Sequence, residues 1–274
     1  MNGYDLLRKE IRQYIYDEDW DSLRGIQEAS IKHVHDTENN LILAAPTASG
    51  KTEAAFLPAI NSIKDWASGL KIVYISPLIA LINDQFRRIY ELCGYMDIPV
   101  TSWHGEASRA KKNKLLKKPR GILLITPESI EAMLSLRPGE AKGLFRGTEW
   151  IIVDEIHSFL ENNRGIQLRS LIERIELYME KEPRFIGMSA TLNREDYKKV
   201  KNFFISDRVT DVLLDSSQNP LEATKSYYKS NMKRESREAL EEMYDYSQRE
   251  SMLIFPNSRS EVERLAVGLS KLGR

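Results

Sequence analysis

Cysteine is nearly absent from this 274-residue sequence, and the single Cys93 excludes an internal disulfide and suits a reducing, cytoplasmic compartment. Net charge is absent too. The 40 basic and 40 acidic residues cancel, so whole-chain charge gives no attraction to a polyanion, and any nucleic-acid partner must be held locally. No apolar run approaches the roughly 20 residues of a membrane span, and the charged opening MNGYDLLRKEIRQY lacks the apolar centre of a secretory signal. Internal repeats and low-complexity tracts are also missing. With 42% hydrophobic and 29% charged residues, what is left is a globular chain, long enough for one full domain and part of another.

The most informative stretch is Ala45 to Thr52, APTASGKT, directly after the apolar run Leu41 to Ala44. A turn of small residues between strand and helix lets successive backbone N–H groups point inward as an anion nest. The helix that follows, from about Thr52, adds the positive end of its dipole. In a phosphate loop of this kind Thr47, Ala48, Ser49 and Gly50 surround the phosphates, Lys51 reaches the β- and γ-phosphates, and Thr52 holds Mg²⁺. Ala45 stands where such loops usually open with glycine and Ala48 where relatives often carry another, which leaves Gly50 alone with full backbone freedom. A plain strand-to-helix turn therefore competes with the phosphate loop until a second motif supports it.

That second motif is the short apolar strand Trp150 to Val153, running into Asp154-Glu155-Ile156-His157. In an open parallel sheet, ligands collect beyond the carboxyl ends of the strands, so the loops after two neighbouring strands can share one Mg-nucleotide. Asp154 would then hold the metal, partly through water, and Glu155 would position or deprotonate the attacking water. The alternative is a solvated acidic turn with His157 packed nearby, and the preceding phosphate loop weighs against it.

Together, DEIH and APTASGKT resemble the DEAD/DEAH-box helicases of superfamily two. Further matches follow in the family's order: Gln27 in LRGIQ, YISPLIAL at Tyr74 to Leu81, WHGE at Trp103 to Glu106, ITPES at Ile125 to Ser129 and MSAT at Met188 to Thr191. Two stretches, DEIHSFLENNRGIQL and LIFPNSRSEVERLA, are similar to the Lhr-like branch, whose members resemble ATP-driven translocases moving 3′ to 5′ on single strands. The resemblance runs from about residue 20 to the end.

The resemblance implies ATP and Mg²⁺ as cofactors, with Glu155, Asp154 and Lys51 as the catalytic set. Gln27 would read the adenine edge, since a carboxamide can pair with both N6 and N7; Arg24 would add a contact, and Trp20 would anchor the first helix or, as the alternative, stack on the base. His157, Ser189 and Thr191 would couple the ATP site to the strand path. Pro77, Leu78, His104, Gly105, Thr126, Pro127 and Glu128 would line that path, where open helix N-termini after Pro77 and Pro127 attract phosphates. The implied partner is single-stranded or partly duplex nucleic acid, with DNA ahead of RNA. A basic run, Arg109 to Arg120, puts Lys111, Lys114 and Lys118 on one helical side backed by Leu115, either as a solvated face or as a direct strand contact.

Strand-like runs at Leu41–Ala45, Lys71–Ser76, Val100–Trp103, Gly121–Thr126, Trp150–Asp154 and Arg184–Ser189 alternate with amphipathic stretches. This predicts an α/β, RecA-like P-loop domain with helices on both faces of a parallel sheet. One such helix is expected over Arg164 to Lys181, with Ile166, Leu168, Leu171, Ile172, Ile175 and Leu177 on its apolar side and Pro183 fixing its end. The polar stretch Asp215 to Asn219, before Pro220, reads as a linker, dividing the chain into residues 1–218 and 219–274. Past it, Leu221–Lys229, a helix near Glu235–Gln248, Met252–Pro256 and a Ser260–Leu272 helix resemble the opening of a second, incomplete RecA-like domain. The expected whole is a longer helicase whose remaining chain carries the arginines that complete the ATP site. An arginine finger can be worth about 10³ to 10⁵ in rate, so this stretch alone should bind nucleotide but hydrolyse it weakly. A remodelling ATPase that does not unwind, or an inert binding module, are the alternatives.

Overall fold

Seven strands form among the described residues, one more than the apolar runs announce. The computed structural model describes residues 2–46, 49–190, 192, 196–215, 237–249, 251–256 and 258–273. The strands are β1 (Asn40–Ala44), β2 (Gly69–Ile75), β3 (Val100–Trp103), β4 (Arg120–Ile125), β5 (Trp150–Val153), β6 (Arg184–Ser189) and β7 (Thr210–Leu214). All pairings are parallel, in the order β3-β4-β2-β5-β6-β1-β7. The unforeseen β7 is an edge strand, half-buried along most of its length, so its sequence TDVLL never needed a continuous apolar run.

The helices are α1 (Gly3–Leu6), α2 (Lys9–Asp17), α3 (Gly25–Asp36), α4 (Lys51–Ser62), α5 (Ile79–Gly94), α6 (Arg109–Lys117), α7 (Pro127–Leu136), α8 (Pro138–Phe145), α9 (Asn163–Glu176), α10 (Asp196–Lys201), α11 (Arg237–Arg249) and α12 (Arg259–Leu272). Because successive side chains of a strand point to opposite faces, each central strand feeds two cores. Leu41, Leu43, Tyr74, Ile152 and Met188 meet apolar residues of α2 to α5, while Ile42, Val73, Ile125, Val153 and Phe185 meet those of α6 to α10. Each fully buried chain of this kind contributes about 1.5–3 kcal/mol. This double burial is what makes β1, β2, β5 and β6 read as unbroken apolar runs.

Helix α9 ends at Glu176, before the expected Lys181, with the Leu177 N–H turning back onto Glu173 O and Ile175 O. Pro183 therefore lies outside it and only precedes β6. Leu168, Leu171, Ile172 and Ile175, spaced as one helical face, are buried, whereas Ile166 and Leu177 are exposed. The expected apolar side was too broad by those two residues.

The chain divides into two compact units, Met1–Gln218 and Asn219–Arg274. In the second, α11 and α12 pack together, with Ala239 and Leu265 buried and Gly268 leaving room for the Leu240 methyls. Residues 251–256 form no strand among the described residues. Of the linker stretch only Asp215 is described, its N–H donating to Ala44 O; residues 216–219, Pro220 and the Leu221–Lys229 stretch lie outside. No helix among the described residues is long and apolar enough to cross a membrane.

Candidate nucleotide site and nucleic-acid edge

Strand β1 ends at Ala44, and the Ala45 N–H donates to Ser189 O at 3.1 Å, tying the exits of β1 and β6 together. Thr47 and Ala48 lie outside the described residues. Gly50 caps α4 at φ +83°, and a Cβ there would come within 2.4 Å of Gln27 Nε2. Both the left-handed backbone and the close approach require glycine. No side chain among the described residues caps this helix start, which leaves its first N–H groups facing the loop where an anion would bind. Lys51 Nζ donates to Ala45 O at 2.6 Å and Pro46 O at 2.7 Å. Burial lowers the lysine pKa, and the charges of Glu155 and Asp154 pull it back up. Lysine and carboxylates thus share one electrostatic neighbourhood.

Strand β5 delivers the acids. Buried Asp154 accepts from Tyr74 OH at 2.5 Å through Oδ2, and from the Glu155 N–H at 2.9 Å through Oδ1. Burial raises its pKa; the Tyr74 hydrogen bond opposes this, Glu155's charge adds to it, and Lys51 opposes it again. Glu155 sits at φ 46°, ψ 46°, turning the chain from strand into the 3₁₀ turn Ile156–Phe159. A non-glycine residue held there costs on the order of 1–3 kcal/mol, the kind of strain that gathers at functional sites. Its Oε2 is buried without a hydrogen-bond partner among the described residues. His157 Nδ1 is 3.1 Å from Ser189 Oγ and 3.2 Å from Glu155 Oε2; the contact with Ser189 has hydrogen-bond geometry, and the carboxylate stands at ion-pair distance. Thr191 lies outside the described residues.

The strands carrying Lys51 and Asp154 are not neighbours, contrary to the sequence expectation. β6 runs between β1 and β5, so the two loops stand two strand spacings apart, about 10 Å. Because the sheet is parallel, both still open on the same carboxyl edge, with Ser189 between them. A hydroxyl at Thr52 in the first turn of α4, the Asp154 carboxylate and the Glu155 carboxylate make a hard-oxygen set that fits Mg²⁺. No group of three or more His, Cys, Asp or Glu among the described residues could cage a metal.

Beside this site, a cavity of about 570 Å³ is lined by Trp20, Arg24, Gln27, Gly50, Glu53 and Arg88, among others. Buried Gln27 accepts from the Arg24 N–H at 2.9 Å, closing the start of α3, and donates to Gly50 O at 3.4 Å. The carboxamide is thus fixed by backbone, and its bonds to the described residues use one N–H and one lone pair, leaving the other two for a base. Trp20 packs edge-on against Tyr14 at 6.0 Å and on the core, as an anchor does.

The candidate nucleic-acid residues follow β2, β3 and β4 on that same edge. Leu78 begins α5 with no side-chain cap, so that helix start is open. The α7 start is not open: Thr126 Oγ1 accepts from the Ser129 N–H at 3.3 Å, correcting the expectation of free N–H groups after Pro127. His104 is buried, and burial lowers its pKa; its carbonyl accepts from Lys112 Nζ at 2.5 Å, while Gly105 next to it is exposed. Glu128 would repel a phosphate were it not paired with Arg164, Nη2 to Oε1 at 2.7 Å. Arg164 also donates to Pro77 O at 2.7 Å and lies over the Phe159 ring at 5.5 Å. Sequence reasoning missed this arginine, counting it only as the first residue of a helix. A signal was present in Gly165, whose Cβ would come 1.6 Å from Phe159 O, so the Arg-Gly pair marks a close crossing.

Comparison with known proteins gives the family and the fold. The family described as DEAD/DEAH box helicase matches residues 24–200. The chain is 30% identical to the ATP-dependent helicase Lhr-Core of Methanocaldococcus jannaschii, over 98% of this chain and 34% of that protein. It is 33% identical to the Lhr helicase/uracil glycosylase of Escherichia coli, over 58% of this chain and 12% of that protein. It also superposes on the Mycobacterium smegmatis helicase Lhr solved with ssDNA and AMP-PNP, with a TM-score of 0.80 and 25% identity, covering 100% of this chain and 37% of that one. The chain spans about a third of the length of the first of these relatives, or less.

Proposed function

The chain belongs to the DEAD/DEAH-box helicase family, and from that premise we propose that it is the ATP-binding motor portion of an Lhr-like helicase or translocase acting on single-stranded or partly duplex nucleic acid. The observation that carries this reading is the convergence of Lys51, Asp154 and Glu155 on the sheet edge where β2, β3 and β4 also end.

In the proposed cycle, Lys51 leaves the carbonyls of Ala45 and Pro46 for the β- and γ-phosphates, and the open start of α4 receives the same charge. Mg²⁺, when bound by Thr52, Asp154 and phosphate oxygens, supplies charge neutralisation. Tyr74 keeps Asp154 oriented, and Glu155 orients the attacking water and accepts its proton. Gln27, held by Arg24 N and Gly50 O, faces adenine, which favours ATP over GTP. His157, bonded to Ser189, passes the state of Glu155 to β6, a coupling role that Thr191 would share. Residues 219–274 open that second RecA-like domain, and the rest of the protein supplies the arginines that complete hydrolysis. The single strand lies along the Pro77, His104–Gly105 and Thr126–Glu128 turns, with DNA ahead of RNA, in a cytoplasmic setting. The DNA and AMP-PNP bound in the Mycobacterium smegmatis relative support both ligand classes.

The test is steady-state ATP turnover and strand separation by the full-length protein, with and without single strands. Strand-stimulated turnover coupled to separation is expected; turnover indifferent to nucleic acid would overturn the reading.

A further inference from the structure

We infer that the groove between α5 and α6, wrapped around the outer strand β3, is a second contact surface for single-stranded nucleic acid, continuing the strand beyond the His104–Gly105 turn. This rests on the helicase reading above. The two helices pack on opposite faces of the sheet, and β3 is the outermost strand on its side, so they flank an open edge. The space between them is about 570 Å³.

Its two walls differ in chemistry. On the α6 side, Lys111, Lys114 and Leu115 fall at helical spacing on one face and line the groove together with Lys118 just past the helix end, with Leu115 buried. Arg120, held through Nε to Trp66 O at 2.8 Å, adds a fourth cation at the start of β4. Among the described residues the only acid in the lining is Asp97, fully exposed and 3.9 Å from Arg120, so the groove is positive in a chain with no net charge. On the α5 side, Phe86 and Tyr90 lie one turn apart with rings stacked, centroids 5.7 Å apart and 22° between planes. Tyr90 is 59% exposed, and Lys111 Nζ stands 6.0 Å from the Phe86 ring.

A flat aromatic ledge facing a row of point charges is the combination that stacks bases and tracks phosphates without reading sequence. An acidic peptide would use the lysines but has less use for a stacked ring pair. The groove and the proposed path share α6, whose Lys112 donates to His104 O. A strand leaving the carboxyl edge at that turn meets the start of α6 and can follow it down the sheet edge.

The experiment compares binding of labelled oligothymidylates of about 8 and about 25 nucleotides, lengths chosen against the site sizes of such surfaces, by fluorescence anisotropy. Tyr90→Ala, at an exposed position, with a melting curve to check its fold, is expected to weaken the long oligomer about 5- to 10-fold and to leave the short one unchanged. Lys114→Gln with Lys118→Gln should flatten the salt dependence of long-oligomer binding by about 1.4 in log–log slope. A 5-iodouracil oligomer should crosslink to Tyr90. If the short oligomer binds and both variants leave the long one unaffected, the groove inference alone is overturned. If neither oligomer binds the unmodified chain, the helicase reading falls with it. If a poly-glutamate peptide binds the groove and loses affinity in these variants while oligomers do not, the surface belongs to an acidic protein segment.

Discussion

Arg164 Nη2 donates to the main-chain oxygen of Pro77 at 2.7 Å, fastening the helix that follows the acidic turn to the loop that follows β2. The same guanidinium holds Glu128 at the start of α7 and lies over Phe159 of the 3₁₀ turn. One side chain therefore braces the loops proposed for nucleic acid against the segment carrying Glu155. Arg164→Ala leaves an exposed carboxylate and a carbonyl without their donor. A charge-assisted hydrogen bond is worth about 1.5–3 kcal/mol net, so single-strand affinity should fall about tenfold while nucleotide affinity holds. Parallel anisotropy titrations with labelled oligomer and labelled nucleotide check this, and equal losses of both would mean general unfolding instead.

Gly50→Ala should destabilise the nucleotide loop. Its left-handed φ of +83° and the 2.4 Å approach to Gln27 Nε2 act together. A cost of about 1 kcal/mol or more is expected, lowering Tm by roughly 2–4 °C per kcal/mol for a domain of this size. Calorimetry reads it directly, and an unchanged Tm would mean the loop relaxes without cost.

Stability should carry a pH dependence from Glu176, whose carboxyl is pushed up to about 7 by burial, then by Glu182 and Glu173. The folded chain keeps a proton that the unfolded chain releases above about 4.5. Native protein thus binds more protons between those values, and stability falls as pH rises through that window. Glu176→Gln should raise Tm at pH 8 relative to the unmodified chain and change it little at pH 4. These paired melts are the check, with a pH-independent difference as the contrary result.

Much of the fold was legible because the central strands are buried on both faces. Leu41–Leu43 and Ile151–Val153 must be apolar throughout, and such runs show in a sequence. Strand β7 was not, since a half-buried edge strand admits Thr210 and Asp211 and leaves only a short apolar run, Val212 to Leu214. Residue identities at the candidate site were readable from APTASGKT and DEIH, but strand order was not. Nothing local in either motif reveals that β6 lies between them, because adjacency in a parallel sheet is set by crossovers remote in sequence. Arg164 was hidden for a similar reason. Its partners Pro77 and Glu128 are 87 and 36 residues away, and only the folded edge brings the three together.

The joint grip of Lys51 and Asp154 on one Mg-nucleotide is tested most directly by titrating ATP calorimetrically, with and without Mg²⁺, into the unmodified chain, Lys51→Ala and Asp154→Asn. Loss of the lysine should weaken binding about tenfold or more under both conditions, and Asp154→Asn should abolish the gain in affinity that Mg²⁺ confers. Unchanged Mg²⁺-dependent binding in both variants would contradict a shared site on this edge of the sheet.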